Sequence, residues 1–161
     1  MIFVTVGTQL AFDRMVRVID EWAGRTEPRP EVVGQIGPSD LVPQHIDHRA
    51  FVEPGEFAEL ADRADAIVAH AGMGSIITAL TYGKPIVIMP RRADLGEQRN
   101  DHQLSTAARF AGRPGVFVAK DEHELPGILD SLRGLTAGEP IPPFADPNLI
   151  QTIREFIDRG Q

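Results

Sequence analysis

The feature that most constrains this chain is an alternation repeated from end to end. Short apolar, β-branched runs are separated by stretches whose apolar residues recur at helical spacing. Residues 2–6 open the series as a buried-strand candidate ended by Gly7. Residues 13–22 follow, with Met15, Val16, Val18, Ile19 and Trp22 at helical positions. Beyond a polar turn at 25–30, the same reading predicts strands over 31–36, 49–52, 65–69, 85–89 and 116–119. It predicts helices over 56–63, 74–82, 101–110 and 122–132, the last with Asp121 as its cap. Residues 39–47 read as an irregular connection. Strands joined by helical crossovers wind right-handedly and place helices on both sides of a sheet. The predicted fold class is therefore α/β, Rossmann-like, with a mostly parallel sheet and helices on both faces.

The length, 161 residues, suits one domain spanning 1–161. Residues 138–161 are read as a Pro-rich bridge, around 140–147, and a terminal amphipathic helix over 148–158. With no cysteine, a disulfide framework and a thiolate metal site are excluded, and a reducing cytoplasm is compatible. His45, His48 and His123 lack metal-ligand spacing, so no metal is expected. Acidic residues outnumber Lys plus Arg by 23 to 16, a net charge of −7 that argues against broad nucleic-acid binding. Arg91-Arg92 stands out as a local basic patch able to meet an anionic ligand or a membrane surface. No apolar run approaches the roughly 20 residues that span a bilayer. The opening Met-Ile-Phe-Val-Thr-Val-Gly reads as a strand and not as a signal peptide.

In an open α/β sheet, ligands bind outside the carboxyl ends of the strands. Three loops leave such ends here: Gly7-Thr8-Gln9, residues 70–75 and residues 90–103. The second is the most informative. In His70-Ala71-Gly72-Met73-Gly74-Ser75, the glycines let backbone N–H groups approach an anion, and Ser75 adds a hydroxyl. The helix that starts there adds its positive dipole end, and His70 can add a hydrogen bond or partial charge. A glycine-permitted turn with a buried histidine accounts for the segment equally well. Neither a Walker pattern nor a complete Gly-x-Gly-x-x-Gly fingerprint is present. In the third loop Glu97, Asn100, Asp101, His102 and Gln103 crowd a helix start, a set suited to sugar hydroxyls. Capping by Asn100 or Asp101 explains one of these residues, not all. Neither a nucleophile elbow nor a catalytic triad is evident.

Taken together, these loops resemble the donor-binding half of family 28 glycosyltransferases. The resemblance rests on Phe3-Val4-Thr5-Val6-Gly7-Thr8-Gln9 with Phe12-Asp13, and on residues 70–75 followed by Gly83-Lys84-Pro85. It continues through Pro90-Arg91 and Gly96-Glu97 to Asn100-Asp101-His102-Gln103, covering roughly residues 1–120. Short single-domain proteins of exopolysaccharide and capsule synthesis are the most similar form. The catalytic subunit of the dolichol-linked UDP-GlcNAc transferase is also similar.

The resemblance implies the C-terminal half of a GT-B enzyme, which binds a UDP-sugar and uses no cofactor or metal. It implies that Gly7, Thr8, His70, Gly72, Met73, Gly74 and Ser75 meet the donor phosphates. Glu97, Asn100, Asp101 and Gln103 would then read the sugar. Thr78 stands where many such enzymes place a ribose-binding glutamate, and Gln98 where relatives often show histidine. The acceptor half is missing, so a membrane-anchored acceptor-binding partner and a lipid-linked glycan acceptor are implied. The general base would reside on that partner, and the chain would be cytoplasmic and peripheral to the membrane. A non-catalytic scaffold derived from a donor domain is the alternative, which Thr78 favours. A sugar-nucleotide epimerase would need both halves in one chain.

Overall fold

The computed structural model describes residues 1–142 and 144–159. Pro143 of the bridge, and Gly160 and Gln161 at the end of the expected domain, lie outside the described residues. Six strands form one parallel sheet: β1 (Ile2–Thr5), β2 (Val32–Gln35), β3 (Asp47–Arg49), β4 (Ala66–His70), β5 (Ile86–Met89) and β6 (Val116–Val118). Their order is β3-β2-β1-β4-β5-β6. The chain runs outward from β1 to β3, then returns to β1's other side, so β1 and β4 flank the point where the winding reverses. That crevice is where an open α/β sheet binds its ligand.

The side chains of the strands divide between two cores. Ile2, Val4 and Val6 pack with Val68, Val87 and Met89 against α1 (Asp13–Arg25) and α5 (Leu125–Asp130). Phe3, Ile67, Ala69, Ile86 and Ile88 turn the other way. They meet α2 (Pro54–Arg63), α3 (Met73–Thr81) and α4 (His102–Phe110). Strands buried on both faces read as unbroken apolar runs, which is why the central strands are evident in the sequence.

Two predicted elements are displaced. The strand expected over 49–52 is β3, whose three residues are all exposed. As an edge strand it pairs with β2 through its backbone, Val33 to Asp47 and Gln35 to Arg49, so no apolar pattern marks it. The helix expected over 122–132 shrinks to α5. Asp121 Oδ1 accepts the N–H groups of His123 and Glu124, at 2.9 and 3.0 Å, and holds a turn ahead of it. A 3-10 turn (Leu132–Gly134) follows. The bridge then passes Gly115 and Gly83, and Ile141 donates its N–H to the Leu80 carbonyl at 3.2 Å. The terminal helix α6 (Pro147–Arg159) buries no residue.

Candidate functional site

A cavity of about 610 Å³ opens at the carboxyl ends of β1 and β4. It is lined by Gly7, Thr8, His70, Gly72, Met73, Gly74, Ser75 and Gln103 of the three loops, with Thr78 of α3. Gln35, Val52, Pro54, Phe57, Arg91, Gln98 and His102 also line it, with further residues of the first loop.

The first loop is shaped by Gln35, a buried polar residue at the end of β2. Its Nε2 donates to Thr5 Oγ1 and to the Gly7 carbonyl, both at 3.2 Å. Its Oε1 accepts the Val52 N–H at 3.1 Å. One amide thus ties the loop after β1 to the loop after β3. Gly7 itself has φ +82°, a backbone region that favours glycine.

The second loop holds the phosphate-friendly geometry, and its two glycines do different work. A Cβ on Gly72 would overlap the His70 imidazole, and one on Gly7 would stand 2.9 Å from His70 Cε1. Both glycines therefore make room for the ring. A Cβ on Gly74 would meet nothing within 4 Å. The space above Gly74 belongs to the cavity, and there the backbone is open to a ligand. No side chain caps α3, whose first backbone bond runs from the Ile76 N–H to the Gly72 carbonyl at 3.2 Å. The Gly72 N–H donates to the His70 carbonyl at 2.7 Å, which leaves the Met73, Gly74 and Ser75 amides and the helix dipole at the cavity.

His70 is held neutral. Burial pushes its pKa down to about 4, the charge of Arg91 adds to the shift, and His102 contributes in the same sense. The Thr5 backbone opposes these effects without closing a full hydrogen bond, and Nδ1 is buried with no partner among the described residues. At neutral pH the ring can offer an N–H but no charge.

The third loop divides. Gln103 is buried and accepts the Arg91 N–H on Oε1 at 3.1 Å, which fixes its amide orientation beside the cavity. The other three predicted residues are not among the lining. The Glu97 carboxylate takes Arg14 Nε and Nη2, both at 2.8 Å, and the Arg92 N–H at 2.9 Å. Asp101 Oδ1 accepts the Ala93 N–H at 2.9 Å, and Asn100 Oδ1 accepts the His102 N–H at 3.2 Å. His102 lines the cavity in their place. The predicted Arg91-Arg92 patch also separates: Arg91 is buried, whereas Arg92 is half-buried and paired with Asp94. Among the described residues, no cluster of three or more His, Asp or Glu could hold a metal ion.

Residues 1–126 match the glycosyltransferase family 28 C-terminal domain. A UDP-N-acetylglucosamine–N-acetylmuramyl-(pentapeptide) pyrophosphoryl-undecaprenol N-acetylglucosamine transferase of Parasynechococcus marenigrum (strain WH8102) is 28% identical over 165 residues. That alignment takes in 99% of this chain and 44% of the relative. The UDP-N-acetylglucosamine transferase subunit ALG13 of Homo sapiens is 30% identical over 127 residues, 72% of this chain and 11% of the relative. The chain thus spans less than half the length of either relative. The NMR solution structure of ALG13 shares the fold with a TM-score of 0.59 at 17% identity, covering 94% of this chain and 93% of that one. The Rossmann-like sheet, the glycine turn and the matched span lead to one conclusion: the chain belongs to the glycosyltransferase family 28 C-terminal domain family.

Proposed function

We propose that this chain is the UDP-sugar-binding subunit of a two-component inverting glycosyltransferase, transferring a hexose-type sugar to a lipid-linked acceptor in polysaccharide or glycan synthesis. The observation that carries this reading is the uncapped start of α3, open to the cavity above Gly74 at the reversal between β1 and β4. A diphosphate placed there would meet backbone amides, the Ser75 hydroxyl and the dipole of α3. The relatives' names support a UDP-N-acetylglucosamine donor class and, for the bacterial one, an undecaprenol-linked acceptor.

In the transfer, an acceptor oxygen attacks the anomeric carbon as the bond to the donor oxygen breaks. The departing electron pair goes to the β-phosphate, where the α3 amides stabilise the growing charge. The acceptor's proton goes to a base on the partner subunit. No metal or cofactor enters this scheme. No helix among the described residues is long and apolar enough to cross a membrane, so membrane contact is assigned to the partner. Transfer assays test the division of labour: the chain alone should bind UDP yet transfer poorly, and adding its partner should restore turnover. Full transfer by the chain alone would contradict the two-component reading. Unchanged polysaccharide output in a strain carrying His70→Ala would instead favour a scaffold, the reading to which Thr78 lends support.

A further inference from the structure

A diphosphate brings negative charge into a crevice whose histidine is neutral, and a fixed cation would add to the α3 amides in balancing it. Arg14 and Arg92, which bond around the third loop outside the cavity lining, are already matched by carboxylates. Arg14 pairs with Glu97 and Glu122, and Arg92 with Asp94. Arg91 differs. It is 2% exposed, and its guanidinium donates only to main-chain carbonyls: Val6 at 2.8 Å, Leu10 at 2.6 Å, Glu97 at 3.4 Å, and Ala11. Its charge also lies over the Phe12 ring, 4.7 Å from the centroid. Among the described residues it makes no ion pair, and it is the sole Lys or Arg lining the cavity.

Burying a cation without a carboxylate is costly unless something else neutralises it. The carbonyls do so in part, by turning the loop after β1 inward around the guanidinium. They cannot cancel a full charge. We propose that Arg91 supplies the fixed positive charge of the donor site, held by the carbonyls of the first loop and neutralised when a nucleoside diphosphate binds. The inference rests on the donor reading above and deepens it. Burial pulls Arg91 below its ordinary range, and the Glu97 and Asp13 carboxylates, neither of which bonds it, offset this only in part. Its backbone N–H also sets Gln103, so one residue links the first loop, the phosphate charge and the third loop.

The test compares UDP with uridine, which lacks the phosphates, in wild type, Arg91→Gln and Arg91→Lys, with folding checked by circular dichroism. The charge assignment expects Arg91→Gln to lose roughly tenfold or more in UDP affinity, the scale of one unshielded charge pair. Uridine binding should stay within about twofold, and Arg91→Lys should keep most of the preference for UDP. A merely structural role would weaken UDP and uridine together in both variants, which overturns the inference. An unchanged UDP preference in folded Arg91→Gln also overturns it, while leaving the donor reading intact. Should Arg91→Gln fail to fold, Arg91→Lys decides alone: a retained preference supports the charge, and a lost one contradicts it. Wild-type protein that binds neither nucleotide overturns the donor reading, and this inference with it.

Discussion

Gly72 and Gly74 are two residues apart and look interchangeable in the sequence, yet their surroundings give them opposite constraints. Gly72→Ala drives a methyl into the His70 ring, whose burial leaves little room to yield. Overpacking of this kind should cost about 1–3 kcal/mol, read as a lower urea midpoint. Gly74→Ala adds a methyl to open space in the first turn of α3 and should leave stability unchanged or slightly raised. The larger Gly74→Leu should fold normally yet lose UDP binding. Equal destabilisation by Gly72→Ala and Gly74→Ala would remove the distinction. The histidine carries its own signature. Because its pKa falls from 6.5 to about 4 on folding, the unfolded chain takes up the proton first. Stability should therefore drop as pH falls from about 6.5 towards 4, by at most about 3 kcal/mol from this group. His70→Gln should flatten that part of the profile in urea titrations. A slope that persists in the variant would assign it elsewhere.

Between elements, the site is held by polar residues whose role the sequence conceals. The glycine turn was legible because strand, turn and helix are contiguous in the chain. Gln35 was not, since it acts only once β2 stands beside that turn, whereas Arg91 and His102 were legible by type, as part of a basic patch and of the third loop, but not in their places beside the turn. A glutamine at the end of an apolar strand was the available signal for Gln35. Glu97 and Asp101 are sugar contacts by type and position, whereas in the structure Glu97 binds Arg14 and the Arg92 N–H, and Asp101 the Ala93 N–H. Glu97→Ala leaves Arg14 paired with Glu122 and the Pro90 carbonyl but frees the Arg92 N–H. It should lower stability on the order of 2 kcal/mol, the scale of lost hydrogen bonds to a charged group. The ratio of UDP-sugar to UDP affinity should stay put, and a selective loss of sugar affinity would return Glu97 to the sugar. The same distinction explains the strands. Central β1, β4 and β5 carry the apolar pattern of two buried faces, whereas edge β3 has only its backbone to mark it.

Across the whole molecule, the sheet supplies one face of a binding cleft and leaves α6 outside its cores. Leu149, Ile153 and Phe156 are exposed, and a 13-residue helix is marginal in water by itself. Removing α6 should therefore leave the melting temperature of the remainder unchanged, and a marked fall would show packing that the structure lacks. The central claim is that the start of α3 receives a nucleoside diphosphate. Calorimetric titration of UDP into wild-type and Gly74→Leu protein, both shown to be folded, tests it most directly. One-to-one binding by wild type that disappears in Gly74→Leu is the expected result. Folded wild-type protein that takes up no UDP, or a Gly74→Leu variant that binds it as tightly, would contradict the claim.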